Sequence, residues 1–243
     1  MAALTCAQWL AAWEDSAALA PALRPCALLA PLMEGGQEAA QALSVGQRDA
    51  HLLDLYQALF GPRIEVVAAC PACAAMLELE VEPAGLRLPF AAHPARVMAL
   101  DAGGHYITFR LPDSCDMAAA AACADPIAAR NLLLERCVSA AAVDGGALAA
   151  HALPPEVVDA VARAMADADP QALTELALTC PSCAHGWDAP FEIAHFLTEA
   201  LGHWAARMLD QVHALATAYH WSEDAIFALT PARRAQYLAR VCA

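Results

Sequence analysis

The sequence predicts an α+β, helix-dominated fold in which two β-hairpins are split by a helical insertion and followed by a long C-terminal helix. Three observations predict it. Two Cys-Pro-x-Cys pairs, Cys70-Pro71-Ala72-Cys73 and Cys180-Pro181-Ser182-Cys183, stand far apart in the chain. Short runs with strand-like composition flank each pair on both sides. Alanine supplies much of a hydrophobic content of 60%, while aromatics make up only 6%, and alanine favours helix.

The hairpins come from the flanks. Ile64 to Ala69 enters the first pair and Ala75 to Val81 leaves it; Thr174 to Thr179 enters the second and Trp187 to Ile193 leaves it. Each pair therefore sits where one short strand turns into another. Two thiolates three positions apart on a tight turn can face one tetrahedral ion, and two such turns complete a four-sulfur site. Cys70, Cys73, Cys180 and Cys183 are the expected ligands, zinc the expected structural cofactor, and the pair of hairpins a split zinc ribbon of two knuckles. The intervening proline fixes one φ angle of each turn.

Three other readings of the pairs stay open. A thiol-disulfide oxidoreductase uses Cys-Pro-x-Cys with the first cysteine at a helix N-terminus, whereas strand or loop follows both pairs here. The pairs could also form disulfides or be vestigial. Metal knuckles usually carry glycine just after the second cysteine, and this chain has Ala74 and Ala184 there.

The remaining elements follow in order. Residues 1–61 form an N-terminal helical region, with an amphipathic opening carrying Trp9, Leu10 and Trp13 and a helix over Ser44 to Phe60 stopped by Gly61-Pro62. The first hairpin spans 62–82. The insertion, 83–173, is expected to hold one strand, His105 to Leu111, plus helices. One helix opens at Asp125-Pro126 and another runs from Pro155 to Ala168. The second hairpin spans 174–193 and the C-terminal helical region 194–243. There a helix from Ile193 to about Tyr219 carries Leu197, Leu201, Trp204, Met208, Val212, Leu215 and Tyr219 every three or four positions. That stripe is expected to be the partner-binding face. Ser222 and Thr230-Pro231 open two shorter helices, the last bearing Arg233, Arg234 and Arg240.

Charge and motifs narrow the function classes. The 13 basic and 27 acidic residues give a net charge of −14, which argues against nucleic acid, whose phosphates need a basic footprint. This disfavours a zinc-ribbon adaptor of a nucleic-acid enzyme. No apolar run reaches the ~18 residues of a membrane span, and the opening lacks a signal peptide's basic start. The expected location is cytoplasmic. Cys6, Cys26, Cys115, Cys123, Cys137 and Cys242 lack motif spacing and read as small structural apolar residues. His51, His195, His203, His213 and His220 make no paired ligand motif. With no phosphate-binding glycine loop, no His-Glu-x-x-His and no nucleophile elbow, the chain is not expected to be an enzyme.

Several stretches taken together carry a resemblance. They are SVGQRDAHLLDLYQALFG running into the first cysteine hairpin, RNLLLERCV, the second cysteine hairpin with the long helix after it, and the ending AYHWSEDAIFALTPARRAQYL. The chain resembles the baseplate hub and assembly-chaperone proteins of T-even-type contractile phage tails and related contractile injection systems. Tyr219 to Tyr237 and the hairpins carry this most strongly. The resemblance implies a structural or assembly role without catalytic residues, and partners among other baseplate or tail proteins. It implies a cytoplasmic location during assembly, and leaves open whether the chain stays in the finished particle.

Overall fold

Several helices begin where the sequence offers a side-chain oxygen. Thr5, Ser44, Asp113, Asp125 and Ser222 each accept the amide of the residue three positions on, at Gln8, Gln47, Asp116, Ala128 and Ala225. A computed structural model describes residues 4–88, 97–143 and 146–241. Its N-terminal part holds α1 (Cys6–Ala17), α2 (Arg24–Leu29), α3 (Gly36–Gln41) and α4 (Val45–Phe60). The first hairpin follows as β1 (Ile64–Ala69) and β2 (Met76–Val81), then the single turn α5 (Pro83–Leu86). The insertion contains β3 (Met98–Ala102), β4 (His105–Phe109), α6 (Ser114–Ala121), α7 (Pro126–Cys137), β5 (Val138–Val143), β6 (Gly146–Ala147) and α8 (Pro155–Ala168). The second hairpin is β7 (Glu175–Thr179) and β8 (Gly186–Pro190), and the chain ends in α9 (Ile193–Tyr219), α10 (Glu223–Phe227) and α11 (Pro231–Val241). The fold is α+β, mostly helical, with small antiparallel sheets and a long C-terminal helix.

Two cores organise these elements. The larger gathers Leu28 of α2, Leu52 and Leu53 of α4, Ile64, Val66 and Val81 at the hairpin base, and Phe191, Leu197 and Leu201 around the start of α9. Burying each large aliphatic side chain there stabilises by ~1.5–3 kcal/mol. The smaller core lies in the insertion, where Val157, Val158 and Val161 on one face of α8 cover Ile107, Phe109 and Ala141 of the sheet.

That sheet exceeds the single strand the sequence predicts. It has four strands in the order β3-β4-β5-β6. Gly103 and Gly104, at φ 58° and 76°, form the two-residue turn joining β3 to β4, a turn that requires positive φ at both positions. β5 follows α7 without a break. Its sequence VSAAAV favours helix by composition, but pairing with β4 from Phe109↔Val138 to His105↔Val143 fixes it as a strand. Tertiary pairing outweighs alanine's preference.

Beneath the α7–β5 junction, Asp116 is fully buried. It accepts hydrogen bonds from Arg110, from Arg136 Nε at 2.6 Å and from the Asp113 amide at 3.0 Å. Burial pushes its carboxyl up, but the two guanidinium groups and the amide outweigh that and hold it well below the usual carboxylate range. Burial and the Asp116 charge push the neighbouring Cys137 thiol up to about 12. Cys26 and Cys137 are buried, and Cys6, Cys115 and Cys123 are half-buried. Cys242 lies outside the described residues. No helix among the described residues is long and apolar enough to cross a membrane.

Candidate metal centre

The two cysteine pairs sit on two closely similar hairpin tips. β1 and β2 pair from Ile64↔Val81 to Ala69↔Met76, and β7 and β8 from Glu175↔Pro190 to Thr179↔Gly186. Each tip is closed by the same two hydrogen bonds. Cys70 N–H donates to the Ala75 carbonyl and Ala74 N–H to the Cys70 carbonyl; Cys180 and Ala184 do likewise with His185 and Cys180, all at 2.9 Å. This turn needs a left-handed residue after the second cysteine, and Ala74 and Ala184 both adopt φ 58°. The alanines therefore take the conformation for which glycine is the usual choice, at a steric cost of ~1–2 kcal/mol. Ala74→Gly and Ala184→Gly are each expected to raise stability by ~0.5–1 kcal/mol, because relieved strain exceeds the extra freedom of the unfolded chain. Urea unfolding of the single and double variants would measure it, and unchanged or lowered midpoints would contradict it.

The tips face each other and bring four sulfurs together. Cys70 Sγ lies 3.7 Å from Cys183 Sγ, and Cys73 Sγ 3.6 Å from Cys180 Sγ. All four sulfurs lie within 4.8 Å of one another. Four thiolates held ~2.3 Å from a central zinc would be ~3.8 Å apart along the tetrahedron's edges, so the cluster has the dimensions such an ion needs. The first cysteine of each pair is buried and the second exposed.

Local electrostatics favour the Cys180 thiolate and oppose those of Cys73 and Cys183. Burial pushes the Cys180 thiol up, but the amides of Cys183 and Ser182, then the hydrogen-bonding thiols of Cys73 and Cys183, bring it down to about 6. The His185 amide acts to lower Cys183, yet hydrogen bonding with Cys73, burial and the other two thiols leave it pushed up to about 12. The Ala75 amide and the Cys183 thiol act to lower Cys73, but the Cys180 thiol, burial and the Cys70 thiol leave it raised. A cation at the centre would offset the rise at Cys73 and Cys183. With four protein ligands such a site has no open position, so it can hold structure but cannot activate water. Strands flank both pairs on both sides, so no helix N-terminus lowers a thiol pKa as in thioredoxin-like proteins.

Gly46, Asp169 and Gln171 link the segments that lead into the two hairpins. α4 leads into β1, and a 3₁₀ turn at Pro170–Ala172 leads into β7. At the start of α4, the Val45 amide donates to the Pro112 carbonyl at 3.1 Å, the Gly46 amide to Asp169 Oδ2 at 2.9 Å and the Gln47 amide to Ser44 Oγ at 3.3 Å. Three otherwise unpaired first-turn donors are thus satisfied, two of them from across the chain. A carboxylate there also suits the helix dipole. Gln171, 1% exposed, accepts from the Leu88 amide and donates to the Leu86 carbonyl and Thr174 Oγ1. It ties the exit of the first hairpin to the entry of the second. The Asp169-Pro170 pair repeats the form of Asp125-Pro126 and could have been read as a cap; nothing marks Gly46 or Gln171.

The predicted partner stripe lies along α9 and faces mostly inward. Leu197, Leu201, Met208 and Leu215 are buried within the chain, and Trp204, Val212 and Tyr219 are half-buried. Tyr219 stacks on Trp221 at 4.8 Å and meets Tyr237 edge-on at 5.5 Å. Leu197 and Leu201 pack in the larger core with α2, α4 and the hairpin bases.

The architecture and site define a class: a helical α+β protein with a four-cysteine cluster between two hairpins. The family described as T4 bacteriophage base plate protein matches residues 28–198. The chain belongs to that family. The match takes in both hairpins and the insertion and ends short of Tyr219 to Tyr237. No curated protein and no solved structure matched the chain.

Proposed function

We propose that this protein acts at the baseplate of a phage-tail-like contractile particle as a hub component or assembly chaperone, through protein–protein contacts and without catalysis. A structural zinc ion bound by Cys70, Cys73, Cys180 and Cys183 would make the two hairpins one split ribbon. The observation that carries this reading is the four-sulfur cluster in a chain of the baseplate family. The ion would supply only cross-linking: it joins segments from either side of the insertion, and Ala75, Ser182, Cys183 and His185 provide amides for the sulfurs. The acidic balance disfavours nucleic acid as a partner. Partners would meet exposed surfaces of the hairpins and the half-buried part of the α9 stripe at Trp204, Val212 and Tyr219, and assembly would take place in the cytoplasm.

Deleting the gene from a particle-producing strain tests this. Sheath and tube assembly is expected to stall for want of complete baseplates, and complete contractile particles from the deletion strain would refute the role. Finding the protein in purified particles would identify a hub component; finding it only on intermediates would identify a chaperone.

A further inference from the structure

Between the two hairpins, below the cysteine cluster, runs a groove of about 440 Å³ closed at its base by the start of α9. β1 lines it with four consecutive residues, Glu65 to Ala68, whereas β7 contributes the alternate pair Leu176 and Leu178. Consecutive residues mean that β1 turns its edge to the groove, and alternate residues mean that β7 turns a face. Among the described residues the other β1 edge carries no strand, because β1 pairs there only with β2 in a two-stranded sheet. Phe191 stacked on Phe196 at 4.9 Å forms part of the apolar floor. The rim carries Glu65, Glu192 and Glu199, all exposed, and no arginine is among the lining residues. Val67, on the same strand, is 61% exposed.

We infer that this groove binds an extended segment of a partner protein with alternating apolar and basic side chains, added as a strand to the β1 edge. An open strand edge supplies backbone hydrogen bonds, and a wall with alternate pockets selects side chains at every second position. One face of such a strand puts its apolar side chains on Leu176, Leu178 and Phe196. The other brings its cations to the three carboxylates. A second copy of this chain is a poor occupant, since its net charge is −14. The inference rests on the reading of this protein as an assembly component, but not on the metal.

The test uses the full chain at measured zinc content and a fluorescent peptide of alternating lysine and valine, with an alternating glutamate–valine peptide and a proline-interrupted lysine–valine peptide as controls. Zero-length carbodiimide coupling then maps the site. The chain's 13 basic residues are all arginine, so its own side chains offer no competing amine. The lysine–valine peptide is expected to bind at least ~10-fold more tightly than either control and to couple to Glu65, Glu192 or Glu199. Glu65→Gln with Glu199→Gln, both exposed, should weaken it by ~10-fold. Equal binding of the three peptides, coupling elsewhere such as Glu78, or displacement of the peptide by self-association would overturn the groove assignment. Zinc-free protein that still binds the peptide would count against the metal centre and leave the groove standing. Zinc-loaded protein that fails to bind would do the reverse.

Discussion

Cys180→Ser is expected to abolish stoichiometric zinc binding and lower stability by ~3–5 kcal/mol, roughly 10 °C in Tm for a chain of this size. The loss is a fraction of the ~10–16 kcal/mol that zinc supplies to isolated zinc-finger peptides, because the larger core remains when the tips open. Ile64, Val66, Val81 and Phe191 anchor the hairpin bases in that core, whereas the tips are joined by the contacts between sulfurs. Two-stranded hairpins are marginal by themselves, so unzipping should start at the cysteines and stop near those anchors. Amide exchange should accelerate in β1, β2, β7 and β8 while α4 and the buried half of α9 keep their protection. A strong chelator should lower the wild-type midpoint to that of Cys180→Ser and leave the variant unchanged. Cys123→Ser, half-buried and remote from the cluster, should keep its zinc. Equal midpoints for wild type and Cys180→Ser, with no zinc in either, would refute a structural metal.

The legible parts of this protein were those written in local patterns. Capping oxygens at Ser44, Asp125 and Ser222 mark helix starts because the bond they make closes within three residues. The strands around each cysteine pair are legible because a turn separates two short runs of suitable composition. The four-stranded sheet was not, because VSAAAV takes its conformation from pairing with β4, which lies beyond α6 and α7 in the chain. The missing glycines after Cys73 and Cys183 looked like a departure from a knuckle, yet Ala74 and Ala184 adopt the left-handed conformation. The stripe on α9 is legible as a periodic one, but periodicity cannot say what covers it. Leu197 and Leu201 join a core with α2, α4 and the hairpin bases, and that is settled by the fold of the whole chain.

Gly46→Ala should be the most damaging single methyl that can be added near the hairpins, with an expected loss of ~3 kcal/mol or more. A Cβ at this position would run into Asp169 Oδ1 and lie 2.7 Å from the backbone nitrogen of Ala172. The side chain could swing away, but only by giving up its hydrogen bond to the Gly46 amide, worth ~1–2 kcal/mol as a helix cap with the dipole added. The backbone of the Pro170–Ala172 turn has less room to yield, since Gln171 is held by three hydrogen bonds to Leu86, Leu88 and Thr174. The methyl therefore pushes α4 away from the segment that leads into β7. Because α4 also leads into β1, that displacement acts directly on the spacing of the two cysteine pairs. Gly46→Ala should consequently weaken zinc affinity as well as stability, although it lies in neither hairpin. Asp169→Ala alone should cost only the cap, and the double variant less than the sum of the two, because the side-chain clash is gone. Additive losses in the double variant, or a Gly46→Ala protein with wild-type Tm, would show that this contact does not position the hairpins.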